Sequence, residues 1–136
     1  MEYQERVSYL EALMYVATLD EKVEADELEH FNQVGMMYGL ENKEIEAIKK
    51  SIMKKEKTLE AILSPIESRK VKLSLIYELL GLCYADGTYN LAEKNGMINI
   101  CMIMGIEAEK LSELEMAMEE SLILQRRIYA ILESEE

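Results

Sequence analysis

One proline, Pro65, and six glycines in 136 residues leave this chain with almost no position at which a helix is forced to stop. Proline costs about 3 kcal/mol in a helix interior and glycine about 1 kcal/mol. A chain nearly free of both, and rich in Glu, Lys, Leu, Ile, Met and Ala, favours helix in nearly every window. The fold expected is therefore all-α. At this length one domain spanning residues 1–136 suffices, and folding should bury about two thirds of the unfolded surface.

The spacing of apolar residues divides the chain into helices. Val7, Leu10, Leu13, Met14 and Ala17 recur at three- and four-residue intervals and mark one face of a helix over residues 2–18. Leu28, Phe31, Val34 and Met37 give a second over 25–38, stopped by Gly39 as a left-handed cap. Asn42 is placed to cap a third, with the stripe Ile45, Ile48 and Ile52. A short helix over 58–63 leads to Ser64-Pro65-Ile66-Glu67, which has the order of N-cap, first-turn proline and capping-box glutamate. Val71, Leu75, Ile76, Leu79, Leu80 and Cys83 then define a strongly apolar helix suited to the centre of the fold. Met97, Ile98, Cys101 and Met104 continue to Gly105, followed by a helix with Leu111, Leu114 and Met118 and a last one with Leu122, Ile123, Ile128 and Leu132. Most of the ten methionines are expected in the core, with Met36, Met37, Met102 and Met104 near an internal axis.

Charge narrows the function classes. Acidic residues outnumber basic ones 27 to 15, for a formal charge of −12. That balance repels phosphate backbones and anionic membrane surfaces, so nucleic acid is not an expected partner, whereas cations or basic proteins are. No leader-like apolar segment and no run of about 18 apolar residues is present, so a soluble cytoplasmic protein without membrane insertion is expected. Lys49, Lys50, Lys54, Lys55 and Lys57 lie near a helix C-terminus, where cations complement the macrodipole. Cys83 and Cys101 sit in apolar stretches without CxxC spacing and read as core residues. His30 is the sole histidine, which excludes a multi-histidine zinc site and most histidine triads.

The sequence also repeats itself. A shift of 66 positions lays residues from Tyr9 to Ile48 on the second half without a gap: Leu13 falls on Leu79, Asp20 on Asp86, Glu27 on Glu93, Gly39 on Gly105 and Glu41 on Glu107. The architecture expected is a bundle of about seven helices, built from two duplicated three-helix units with pseudo-twofold symmetry. The halves span about 2–57 and 65–134, with a linker over about 58–64.

Each half carries an acidic turn between its first two helices. In the second, Tyr84-Ala85-Asp86-Gly87-Thr88-Tyr89-Asn90-Leu91-Ala92-Glu93 places Asp86 and Glu93 at positions 5 and 12 of an EF-hand loop. Positions 1 and 3 would then be Leu82 and Tyr84, which cannot supply carboxylates, so an EF-hand is rejected. Two readings remain open. In one, Asp86-Gly87 makes the turn and Asn90 with Glu93 forms a capping box. In the other, the carboxylates hold a hard divalent cation such as calcium or magnesium. The first turn concentrates Asp20, Glu21, Glu24, Asp26 and Glu27 within eight residues, and its caps are poorer, which favours a cation there. No phosphate loop, nucleophile setting or dinucleotide fingerprint appears, and no enzymatic activity is expected.

The stretch from Ala85 through Glu93, with the apolar helix that leads to Met104-Gly105-Ile106, resembles the TerB-like family named for tellurite resistance. So does the stretch from Leu19-Asp20 through Glu27 to Tyr38-Gly39-Leu40. The resemblance covers about residues 7–120. It implies an all-helical cytoplasmic bacterial domain of duplicated units, linked to stress or tellurite resistance, with metal bound at the acidic helix junctions. Carried onto this chain, the metal positions are Asp20, Glu27, Asp86 and Glu93, with Glu24 as an added oxygen ligand where Glu21 replaces the glycine. The family has no defined reaction to transfer. A binding or scaffold module with a protein partner, a second copy included, is the function expected. The alternative is a metal-independent interaction or dimerisation domain that uses an apolar, Met-rich surface.

Overall fold

A computed structural model describes residues 2–19, 25–85 and 88–135, with only the backbone of 25–27. Among the described residues the chain is all-α, a single domain of seven helices and no strands. They are α1 (Tyr3–Ala17), α2 (Ala25–Met37), α3 (Asn42–Met53), α4 (Leu59–Leu63), α5 (Arg69–Tyr84), α6 (Leu91–Met104) and α7 (Ala108–Leu132).

Local chemistry sets most of these limits. Gly39 and Gly105 end α2 and α6 at φ of +77° and +70°, the left-handed cap that a Cβ would strain. Asn42 is the first residue of α3 and not its cap; Glu41 holds the cap position, and Glu44 Oε1 accepts the Glu41 amide at 3.1 Å. Ser64 closes α4 instead of opening the next helix, its hydroxyl donating to the Ala61 carbonyl at 3.2 Å. The helix starts four residues later than Ser64-Pro65 suggests, because Ile66 is drawn into the core at 2 % exposure and Ser68 takes the cap, accepting from the Val71 amide. The two helices expected after Gly105 are one, α7, since nothing between Met118 and Leu122 interrupts it.

The core forms around α1 and α5, which pack on each other. Leu10 and Ala12 of α1, and Leu75, Ile76, Leu79, Leu80 and Cys83 of α5, are wholly buried. Burying one large aliphatic side chain contributes roughly 2 kcal/mol. The segment between the halves contributes too: α4 packs on α1 and α6 through buried Leu59, Ile62 and Leu63. Methionine departs from expectation. Met14, Met97, Met104 and Met118 are buried, but Met36, Met37, Met53, Met102 and Met116 are exposed, Met37 at 82 %. Each exposed one faces away from the α1–α5 centre that would cover it.

Helix starts recur with the offset seen in the sequence. Tyr3, Ala25 and Asn42 open α1, α2 and α3, while Arg69, Leu91 and Ala108, each 66 positions later, open α5, α6 and α7. The pairings correspond as well: α1 packs on α2 and α3, α5 on α6 and α7. An equivalent tie closes each second helix. Arg6 Nη1 donates to the Tyr38 carbonyl at 2.8 Å, and Lys72 Nζ to the Met104 carbonyl at 3.3 Å.

Candidate functional site

The second acidic junction connects α5 to α6. Asn90 caps α6: its Oδ1 accepts the Glu93 amide at 2.8 Å, while Glu93 Oε1 accepts the Asn90 amide at 3.0 Å. This reciprocal box satisfies two of the helix's otherwise unpaired N–H groups and holds Glu93 at 7 % exposure near the positive end of the helix. Capping and ligation draw on the same side chain and are not exclusive. Of the other residues expected to hold metal, Asp20, Glu24 and Asp86 lie outside the described residues. Glu27 is placed only by its backbone within α2. Among the described residues no three His, Cys, Asp or Glu side chains gather to hold an ion.

Beside this junction, the end of α5, the start of α6 and the middle of α7 line an open surface cleft of about 570 Å³. Its lining includes Tyr84, Tyr89, Lys94, Glu115, Met116 and Glu119. Glu115 is its anchor, 9 % exposed, accepting from Lys94 Nζ at 2.6 Å and 2.5 Å and from the Tyr89 hydroxyl at 2.7 Å. Both are charge-assisted hydrogen bonds, the strong kind. Lys94 Nζ also lies 5.9 Å from the Tyr89 ring centroid, within cation–π range. The Tyr84 hydroxyl donates to Glu119 Oε1 at 2.8 Å, and the Tyr84 and Tyr89 rings stack at 4.9 Å. Burial pushes both phenols above their ordinary pKa, and hydrogen bonds to Glu119 and Glu115 push in the same direction. Both tyrosines therefore stay neutral donors through the physiological range.

Sequence reasoning missed this network, although one signal was present. Glu115 interrupts the buried stripe Leu111 to Met118 of α7 with a charge, and a carboxylate on a buried face calls for a partner. The network belongs to the second half only. Positions 66 earlier than Tyr84, Tyr89, Lys94, Glu115 and Glu119 hold Thr18, Val23, Leu28, Lys49 and Met53. In the first half Lys49 bonds Glu46 at 3.1 Å and lies over the Phe31 ring instead.

A family model described as tellurite resistance protein TerB matches residues 12–116. The chain belongs to the TerB family. The match takes in both acidic junctions and the cleft as far as Met116, and stops within α7. Comparison with curated proteins found no match, and neither did comparison with solved structures. Cys83 and Cys101 are both buried in this TerB domain, and burial pushes the Cys101 thiol up to about 11. His30 is exposed, and no helix among the described residues is long and apolar enough to cross a membrane.

Proposed function

We propose that this TerB-family chain is a non-enzymatic, cytoplasmic bacterial binding and scaffold module linked to stress or tellurite resistance. In this proposal it takes up divalent cations, calcium or magnesium, at two acidic helix junctions. The first site comprises Asp20, Glu24 and Glu27, and the second Asp86 and Glu93. The observation that carries the proposal is the second junction. There a buried glutamate, Glu93, occupies the first turn of α6, seven positions after Asp86 and near the positive end of the helix. An all-oxygen donor set suits hard cations, and the formal charge of −12 attracts them. A bound ion would neutralise the junction carboxylates and tie the end of one helix to the start of the next. The two halves act as copies of one unit about a pseudo-twofold axis, which the constant offset of helix starts and the paired carbonyl ties support.

Thermal unfolding at matched ionic strength tests the proposal. An ion at ten times its Kd stabilises the folded state by about 1.4 kcal/mol. Calcium or magnesium should raise the melting temperature where a monovalent salt does not. No shift at millimolar ion would overturn cation binding.

The exposed methionines favour a second reading, a metal-independent protein-interaction or dimerisation domain. Met36, Met37 and Met102 are 64 %, 82 % and 74 % exposed, and methionine adapts its shape to partner helices. Sedimentation that is insensitive to chelator, with association weakened by polar substitution of these methionines, would support it.

A further inference from the structure

Among the described residues, nothing covers the C-terminal half of α7. Beyond Leu122 every residue of the helix is exposed, including Leu124 at 54 %, Ile128 at 44 % and Ile131 at 64 %. The family match ends before this segment begins. Ala117, Leu124 and Ile131 are spaced by seven and share one side of the helix. Glu120 and Arg127, also spaced by seven, flank one edge of that stripe, while Ser121 and Ile128 flank the other.

The geometry points to a second copy of this chain as the occupant of this face, the two α7 helices running antiparallel about a twofold axis at Leu124. In that register Leu124 meets its own symmetry mate, and small Ala117 lies opposite large Ile131, so the layers interdigitate. Glu120 of each copy lies against Arg127 of the other, which makes two opposite-charge contacts from one pattern. A parallel pairing would instead set the edge of Glu120 and Arg127 against the edge of Ser121 and Ile128 and make neither opposite-charge contact. The antiparallel arrangement is self-complementary, as an isologous dimer requires. About four helical turns per copy are covered, less than a standard interface, so the dimer should be weak, with Kd on the order of 10 μM. It does not depend on cations, and it uses a different face from the exposed methionines of α2.

The test is sedimentation of the full chain from about 1 to 500 μM, combined with oxidative cross-linking. The native protein should shift from its 15.7 kDa monomer towards twice that mass, with or without chelator. Glu120→Arg should weaken association roughly tenfold or more, and Glu120→Arg with Arg127→Glu should restore it. Under glutathione oxidation, Leu124→Cys should form a disulfide-linked dimer. Ala117→Cys and Ile131→Cys should cross-link with each other when mixed, and neither should cross-link alone. The native cysteines are buried and do not compete. Leu124 and Glu120 are exposed, so the variants should fold, and circular dichroism checks this. A monomer at every concentration overturns the proposal. So does a dimer that ignores the charge swap, or in which Leu124→Cys fails to cross-link.

Discussion

Replacing Lys94 with methionine removes the ammonium that bonds Glu115 while keeping most of the side-chain volume. Breaking a fully buried ion pair costs about 3–5 kcal/mol, and an exposed one about 0–1 kcal/mol. This pair lies between those limits, since the Glu115 side chain is 12 % exposed and that of Lys94 is 37 % exposed. Glu115 would keep its 2.7 Å bond from Tyr89, so the loss is partial. We expect Lys94→Met to cost about 2 kcal/mol, roughly 8 °C in melting temperature for a domain of this size. Glu115→Gln should cost less than about 1 kcal/mol, because Lys94 can turn to water and an amide still accepts from Tyr89. The double variant should cost well under the sum, giving a coupling of about 1 kcal/mol in a urea-unfolding cycle. A Lys94→Met loss below about 0.5 kcal/mol, or strict additivity, would refute the assignment of Glu115 as the buried anchor of the cleft.

Three further changes test the fold. Lys55 sits at φ +55° just past α3, so Lys55→Gly should stabilise the domain by about 0.5–1 kcal/mol in denaturant unfolding; a loss would mean that the left-handed residue is not strained. A Cβ at Gly35 would lie 2.7 Å from Ile45 Cδ1 and 2.8 Å from its Cγ1, in a core where Ile45 is 1 % exposed. Gly35→Ala should therefore cost about 1–2 kcal/mol despite its better helix propensity. Tyr38 is pushed up from 10.0 to about 12, chiefly by burial and then by the charge of Glu78, and Tyr9, Tyr84 and Tyr89 shift the same way. A raised folded-state pKa favours the protonated phenol in the fold. That stability is complete below pH 10.0 and lost as pH rises through about 12, so melting temperature should fall steadily across this window and Tyr38→Phe should flatten part of the slope.

Legibility in the sequence followed the range of the interactions. The apolar stripes of α1 and α5 and the glycine stops at Gly39 and Gly105 are local signals, governed by helical period and by one dihedral angle, and the structure has them where the sequence indicates. Ser64-Pro65-Ile66-Glu67 misled because local capping grammar competes with burial: Ile66 is worth more in the core than in a first turn, and Ser68 offers an equivalent cap. The fusion of the last two helices was missed because the polar break at Glu119 to Ser121, between Met118 and Leu122, looks like the boundary of two helices, although nothing there stops one. The Asn90–Glu93 box was readable, its two partners being only three positions apart. The Lys94–Glu115 pair spans 21 positions between two helices and has no local signature beyond a charge on a buried stripe. Methionine failed as a core marker because its hydrophobicity says nothing about which side of α2 or α6 remains uncovered. At the acidic junctions themselves, Asp20, Glu24 and Asp86 fall outside the described residues.

Cation binding at the paired junctions is tested most directly by calorimetric titration of the purified chain with calcium and magnesium at physiological salt. The native protein should release or absorb heat with two ions bound per chain. Asp86→Ala with Glu93→Ala should lose one of them while remaining a folded helical domain, less stable by about 1 kcal/mol from the broken capping box. No heat at millimolar ion, or the same stoichiometry in the native chain and the double variant, would contradict it.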